Sequence, residues 1–165
     1  MIGPDHDLMR RARKMMTRAF GETDQASEVW PFDATDYYEA EMGPDLKRWF
    51  VSFAELISAD RIAEIKRTTM DFEARLADDC LRPPDQRVVN LDPGYVGLSK
   101  LVLATTKDHA HRIYLQRGVY AEVTLRFTKG RWEPWPWTYS DYAAETYLPF
   151  FMQVRQRLVE QLEAQ

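Results

Sequence analysis

Apolar residues recur at helical spacing in three stretches of the chain and at strand spacing in the region between the last two. Leu8, Ala12, Met15 and Ala19 follow Pro4-Asp5 and end at Gly21, which predicts an amphipathic helix over residues 5–20 with its methionines as core filler. Ile62, Ile65, Thr69, Phe72 and Leu76 form the apolar face of a second helix. Ser58 is placed to cap it, Asp60 suits the positive end of its dipole, and Pro83-Pro84 stops it. Phe151, Val154, Leu158 and Leu162 mark a third, in which Pro149 is tolerated because it falls in the first turn.

The period changes to two in Tyr120–Phe127. Ala121, Val123, Leu125 and Phe127 share one face, and Tyr120, Glu122, Thr124 and Arg126 the other. The preceding turn, Gln116-Arg117-Gly118, admits a loop of two or three residues. Only the three-residue loop matches like with like: Arg112 faces Glu122, Tyr114 faces Tyr120, and His111, Ile113 and Leu115 join the apolar face. A two-residue loop would set Arg112 against Val123. At the next turn a two-residue loop, Lys129-Gly130, pairs Phe127 with Trp132 and Arg126 with Glu133. Ser27–Phe32 reads as a further short strand, which Pro31 confines to an edge or an end. The expected fold is therefore α+β: one domain over residues 1–165, an antiparallel meander with amphipathic helices packed on one face.

Composition narrows the class. A chain of 165 residues, 45% hydrophobic and 13% aromatic, can bury a core without disulfides or metal. The single cysteine, Cys80, excludes an internal disulfide and a cysteine-rich zinc site, which fits a reducing cytoplasm. No apolar run approaches the roughly 20 residues needed to cross a bilayer, and residues 5–17 lack the layout of an export signal. A net charge of −4 argues against a general nucleic-acid coat. The charge is uneven, however: Gln86–Arg131 carries eight positive residues against Asp92, Asp108 and Glu122, a local excess of +5.

The chain has no phosphate loop, no dinucleotide fingerprint, no HExxH, no GxSxG and no paired-cysteine site, so no cofactor is assigned. His109 and His111, with Asp92 or Asp108, make an incomplete metal set; a turn residue plus a core-edge histidine accounts for them, and no metal centre is expected. Arg112 and Glu122 leave two readings open. They are a cross-strand ion pair on a solvated face, or the centre of an anion site gathered with Lys100, Thr105, Lys107, Tyr114, Tyr120, Thr124 and Arg126. Asp92-Pro93-Gly94 reads as a turn using a residue tolerant of positive φ. Asp33, Asp36, Glu39 and Glu41 are an acidic lead-in to a helix, with hard-cation ligation as the sharper alternative. Trp132, Trp135 and Trp137 are spaced by prolines as a packing device or, in the sharper reading, a stacking surface.

TDYYEAEMG at 35–43, NLDPGY at 90–95, SKLVLATTKDHAHRIYL at 99–115, VYAEVTL at 119–125 and PWTYSDY at 136–142 together resemble a bacterial family catalogued as domain of unknown function 4416. The resemblance supplies no activity. It marks Asp36, Tyr37, Tyr38, Glu41, Asn90 and Asp92 as ligand candidates from its first two motifs, and Lys100, Lys107, Arg112, Tyr139 and Asp141 from the others. His111 and Glu122 are the acid–base candidates. The family pattern opens with an apolar strand of which Met1-Ile2 resembles the end, implying a first strand missing before residue 3 and a start further upstream.

The function expected is a cytoplasmic protein, not membrane-bound, that holds a small anionic or nucleotide-like ligand on the polar face of its sheet, either as an enzyme or as a binder. Arg112 and Lys100 would fix the anion. The alternative is a non-enzymatic module that binds protein or RNA through Arg126, Lys129 and Arg131 at the hairpin end.

Overall fold

The computed structural model describes residues 1–83 and 86–164. The fold is α+β, with antiparallel sheets and helices. Contacts divide it into two units, Met1–Ile57 with Arg67–Asp92, and Ser58–Lys66 with Pro93–Gln165. No helix among the described residues is long and apolar enough to cross a membrane.

The first unit holds β1 (Ile2–Gly3), α1 (His6–Phe20), β2 (Thr23–Pro31), α2 (Glu39–Met42), β3 (Lys47–Phe53) and the greater part of α3 (Ile62–Asp79). Asp5 caps α1 by accepting the Leu8 amide at 2.8 Å. The sheet runs β1-β3-β2, antiparallel throughout, and β2 ends at Pro31 on its edge. Leu8, Met9, Ala12 and Met16 of α1 pack with Phe72 and Leu76 of α3 against Trp49 of β3.

The central strand, β3, escaped the sequence pattern for a physical reason. Trp49, Val51 and Phe53 face the helices while Phe50 is buried on the opposite side beneath Arg48, so KRWFVSF shows no polar alternation. Ser58 also departs from expectation. A 3-10 turn, Ala59–Arg61, intervenes before α3, and Ser58 makes no side-chain cap bond. The helix stops at Asp79, ahead of Pro83; Pro84 lies outside the described residues.

The second unit holds β4 (Gly94–Val96), β5 (Lys100–Thr105), β6 (Ile113–Gln116), β7 (Val119–Thr128), β8 (Arg131–Pro134) and α4 (Leu148–Glu163). Strand order is β4-β5-β7-β6, with β8 also paired to β7, and every one of these pairings is antiparallel. The β7–β8 hairpin has the expected two-residue turn, with Phe127 opposite Trp132 and Arg126 opposite Glu133.

The β6–β7 hairpin reaches the expected pairing by another route. Tyr114 faces Tyr120, but Gln116 faces Val119, so the turn has two residues and the register shifts by one at Leu115. Arg117 and Gly118 take φ of 51° and 72°, the left-handed pair of a turn that matches strand twist. A bulge thus supplies the residue that the sequence reading placed in the loop.

Two expectations about the faces need correction. Ile113 is 69% exposed and Leu115 is exposed too, because β6 is an outer strand with nothing packed over it. Conversely, the supposedly open polar face of β7 is roofed. Trp137 Nε1 donates to the Val123 carbonyl at 3.0 Å and Thr138 Oγ1 to the Thr124 carbonyl at 2.5 Å, burying Glu122 and Thr124. On the other side of the sheet Ala104 and Val119 pack with Ile62 and Ala63. In α4 Phe150 and Phe151 are buried, whereas Leu162, expected on the apolar stripe, is exposed.

Gly94 also has a different reason from the one expected. It is not among the positive-φ residues but starts β4, where a Cβ would lie 2.5 Å from the Val102 carbonyl oxygen. Close strand approach, and not turn geometry, demands glycine there.

Candidate functional site

In the second unit the roof over β7 encloses an ion pair. Arg112 Nε donates to Glu122 Oε2 at 2.8 Å, with both side chains 2% exposed. Each terminal nitrogen makes one further bond, one to the Lys107 carbonyl at 3.0 Å and the other to the Tyr139 hydroxyl oxygen at 3.1 Å. Burial works against the Arg112 charge, but the bonds to Glu122 and Tyr139 and the Glu122 charge outweigh it and hold the pKa above its ordinary value. Thr124 Oγ1 lies 3.4 Å from the second Glu122 oxygen.

His111 completes the arrangement, with Nε2 2.9 Å from Glu122 Oε2. A carboxylate only accepts, so Nε2 carries the proton, and in the neutral ring Nδ1 is the acceptor. The imidazole stacks on Trp137 at 5.3 Å, and Trp137 in turn on Trp135 at 5.1 Å. Arg126 sits 4.7 Å over Trp135. This column fixes the ring plane while leaving the His111 side chain 22% exposed. The result is one hydrogen-bonded chain, His111–Glu122–Arg112–Tyr139, buried in the middle and open at both ends.

Other candidates on this unit stand apart. Lys100 is exposed on β5 opposite Arg126, and Lys107 meets Arg112 through its carbonyl. Asp141 is buried beyond Tyr139. Burial, the Asp108 charge and a hydrogen bond to Asp108 raise the Tyr120 pKa, so that acid is engaged away from His111. No group of three or more metal-ligating side chains occurs among the described residues. An open cleft of about 700 Å³ lies between β8 and α4, lined by Trp132, Leu148, Pro149 and Met152 among others. It includes no member of the His111 cluster, and both of its arginines, Arg126 and Arg131, pair with Glu133.

A family model, Domain of unknown function (DUF4416), matches residues 1–158 of the 165. The chain belongs to that family. No curated protein and no solved structure matches it.

The first two motifs of this DUF4416 chain meet in the first unit through Arg87, which the sequence reading had counted only as charge. Arg87 Nε and a terminal nitrogen reach the two Glu41 oxygens at 3.0 and 2.5 Å, and its other terminal nitrogen donates to Asn90 Oδ1 at 2.7 Å. Asn90 Nδ2 continues to Asp92 at 2.5 Å. Tyr38 lies under the guanidinium at 5.6 Å. The bond to Glu41, opposed by burial, drives the Arg87 pKa well above its usual range. Asp36 and Tyr37 are exposed beside this network, with Tyr37 edge-on to Tyr38. The motifs are therefore tied to one another by structural bonds, and a positive residue just ahead of the second motif was the available clue. Thr124 joins the cluster as its strand spacing predicts, whereas Trp137 does so for a reason no linear spacing reveals, since the roof folds back across β7.

Proposed function

We propose that the chain is a cytoplasmic protein that binds a small anionic or nucleotide-like ligand beside His111 and serves it by proton transfer. The observation that carries this reading is the contact from His111 Nε2 to Glu122, a buried carboxylate that Arg112 already holds. A carboxylate fixed in this way orients an imidazole and stabilises the cation formed when Nδ1 takes a proton, which is what a general base requires. Arg112 is enclosed and its contacts are internal, so in this reading it positions Glu122 and the ligand meets His111.

Thermal-shift titration with a panel of nucleotides, sugar phosphates and short carboxylates tests the proposal. At least one anion should raise the melting temperature of the wild type and fail to do so in His111→Gln. If none does, and no ligand co-purifies by native mass spectrometry, the reading fails.

A further inference from the structure

We infer that Tyr139 is the group through which the site grips the ligand's anionic oxygen, acting as the hydrogen-bond donor that Arg112 cannot itself offer. The inference rests on the reading of His111 and deepens it. A guanidinium has donors only, so the 3.1 Å contact from Arg112 makes the Tyr139 oxygen an acceptor. The phenol proton is left to point elsewhere, and among the described residues the phenol makes no other hydrogen bond. Tyr139 is 47% exposed, whereas the Arg112 side chain is closed off by its own contacts. The phenol therefore carries the polarity of a buried cation to the surface, as an O–H donor backed by positive charge.

The opposite end of the chain has complementary polarity. The neutral His111 ring offers an acceptor at Nδ1, because its Nε2–H is spent on Glu122. The cluster thus offers one donor, Tyr139, and one acceptor, His111, both set by a single buried ion pair. A ligand suited to it carries an oxyanion for Tyr139 beside a hydroxyl or other acidic proton for His111. Phosphate monoesters and hydroxy acids share that chemistry.

The test is an NMR titration of the full chain carrying ¹³Cζ-tyrosine and ¹³Cε1-histidine, with inorganic phosphate in one arm and lactate in the other. Saturable shifts at both Tyr139 Cζ and His111 Cε1 are expected in wild type. Tyr139→Phe, which keeps the ring, should weaken the response at His111 about tenfold or more, the loss typical of one hydrogen bond to a charged group. A response only to phosphate assigns the tetrahedral class; one to lactate assigns the hydroxy acids. Shifts at His111 with none at Tyr139, or wild-type affinity in Tyr139→Phe, overturn the inference and leave the His111 reading standing. Silence at both residues in both arms overturns the inference, while the wider ligand panel still decides the His111 reading. The wild-type Tyr139 signal is decisive without any variant.

Discussion

Arg112 Nε and Glu122 Oε2 meet at 2.8 Å with both side chains 2% exposed, which makes this pair an all-or-nothing element of the second unit. Removing one charge strands the other without water. Glu122→Ala is expected to cost about 3–5 kcal/mol, read as a lower urea midpoint at unchanged slope. The double replacement Arg112→Met with Glu122→Leu should fold close to wild-type stability, since an apolar pair of similar volume avoids the desolvation penalty. A double variant as unstable as the single one would show that the pair is needed for folding itself. Either way, the ligand binding proposed at His111 should be lost, because its orienting carboxylate is gone.

The legible part of this arrangement was its partner choice. Arg112 with Glu122 and Tyr114 with Tyr120 are the only like-with-like matches the hairpin permits, so complementarity alone selected them. The bulge at Leu115 was not legible, because a bulge and a longer loop give the same downstream register. Burial of the polar face was hidden for another reason. It depends on Trp137 and Thr138 binding the backbone carbonyls of β7, and main-chain acceptors leave no trace in side-chain pattern. In the first unit β3 lacked alternation because both its faces are covered, and Arg87 drew notice only as charge. The helices, which bury one face each, were read nearly to their ends.

Gly94 gives a sharp test of strand contact. A methyl group there would lie 2.5 Å from the Val102 carbonyl oxygen and 2.8 Å from Leu103 Cδ2, and the first of these is backbone that cannot swing aside. Gly94→Ala should lose about 1–3 kcal/mol, the usual cost of overpacking, and increase amide exchange in β4 and β5 ahead of β7. Unchanged exchange at Val102 and Leu103 would mean that β4 yields without cost.

The acid limb of stability should carry a mark of Glu133. Its hydrogen bond to Arg131, then the charges of Arg131 and Arg126, lower its pKa against a smaller opposing effect of burial. A carboxylate depressed in the folded state contributes stability fully above its ordinary value and loses it as pH falls through the depressed one. The melting-temperature gap between wild type and Glu133→Gln should therefore be present at neutral pH and close in acid. A gap that does not narrow as the pH is lowered would assign the effect to shape and not to charge.

The β6–β7 turn sets the register that brings Arg112 to Glu122, so its two residues can be tested for stability and for the site together. Arg117 holds φ of 51°, a region that costs side chains other than glycine, asparagine and aspartate. Asparagine is favoured at that position of such a turn, and Arg117→Asn should stabilise the chain by about 0.5–1 kcal/mol. For a domain of this size that is about 1–4 °C in melting temperature. Gly118, at φ of 72° with nothing within 4 Å of an added Cβ, isolates the backbone effect. Gly118→Ala should destabilise by about 1 kcal/mol or slightly more from strain alone. Because the bulge at Leu115 and the two-residue turn act jointly, relieving the turn should leave Tyr114 edge-on to Tyr120, a contact readable by NMR. If Arg117→Asn abolishes that contact, the register depends on Arg117 itself and not on how well the residue fits a left-handed turn position.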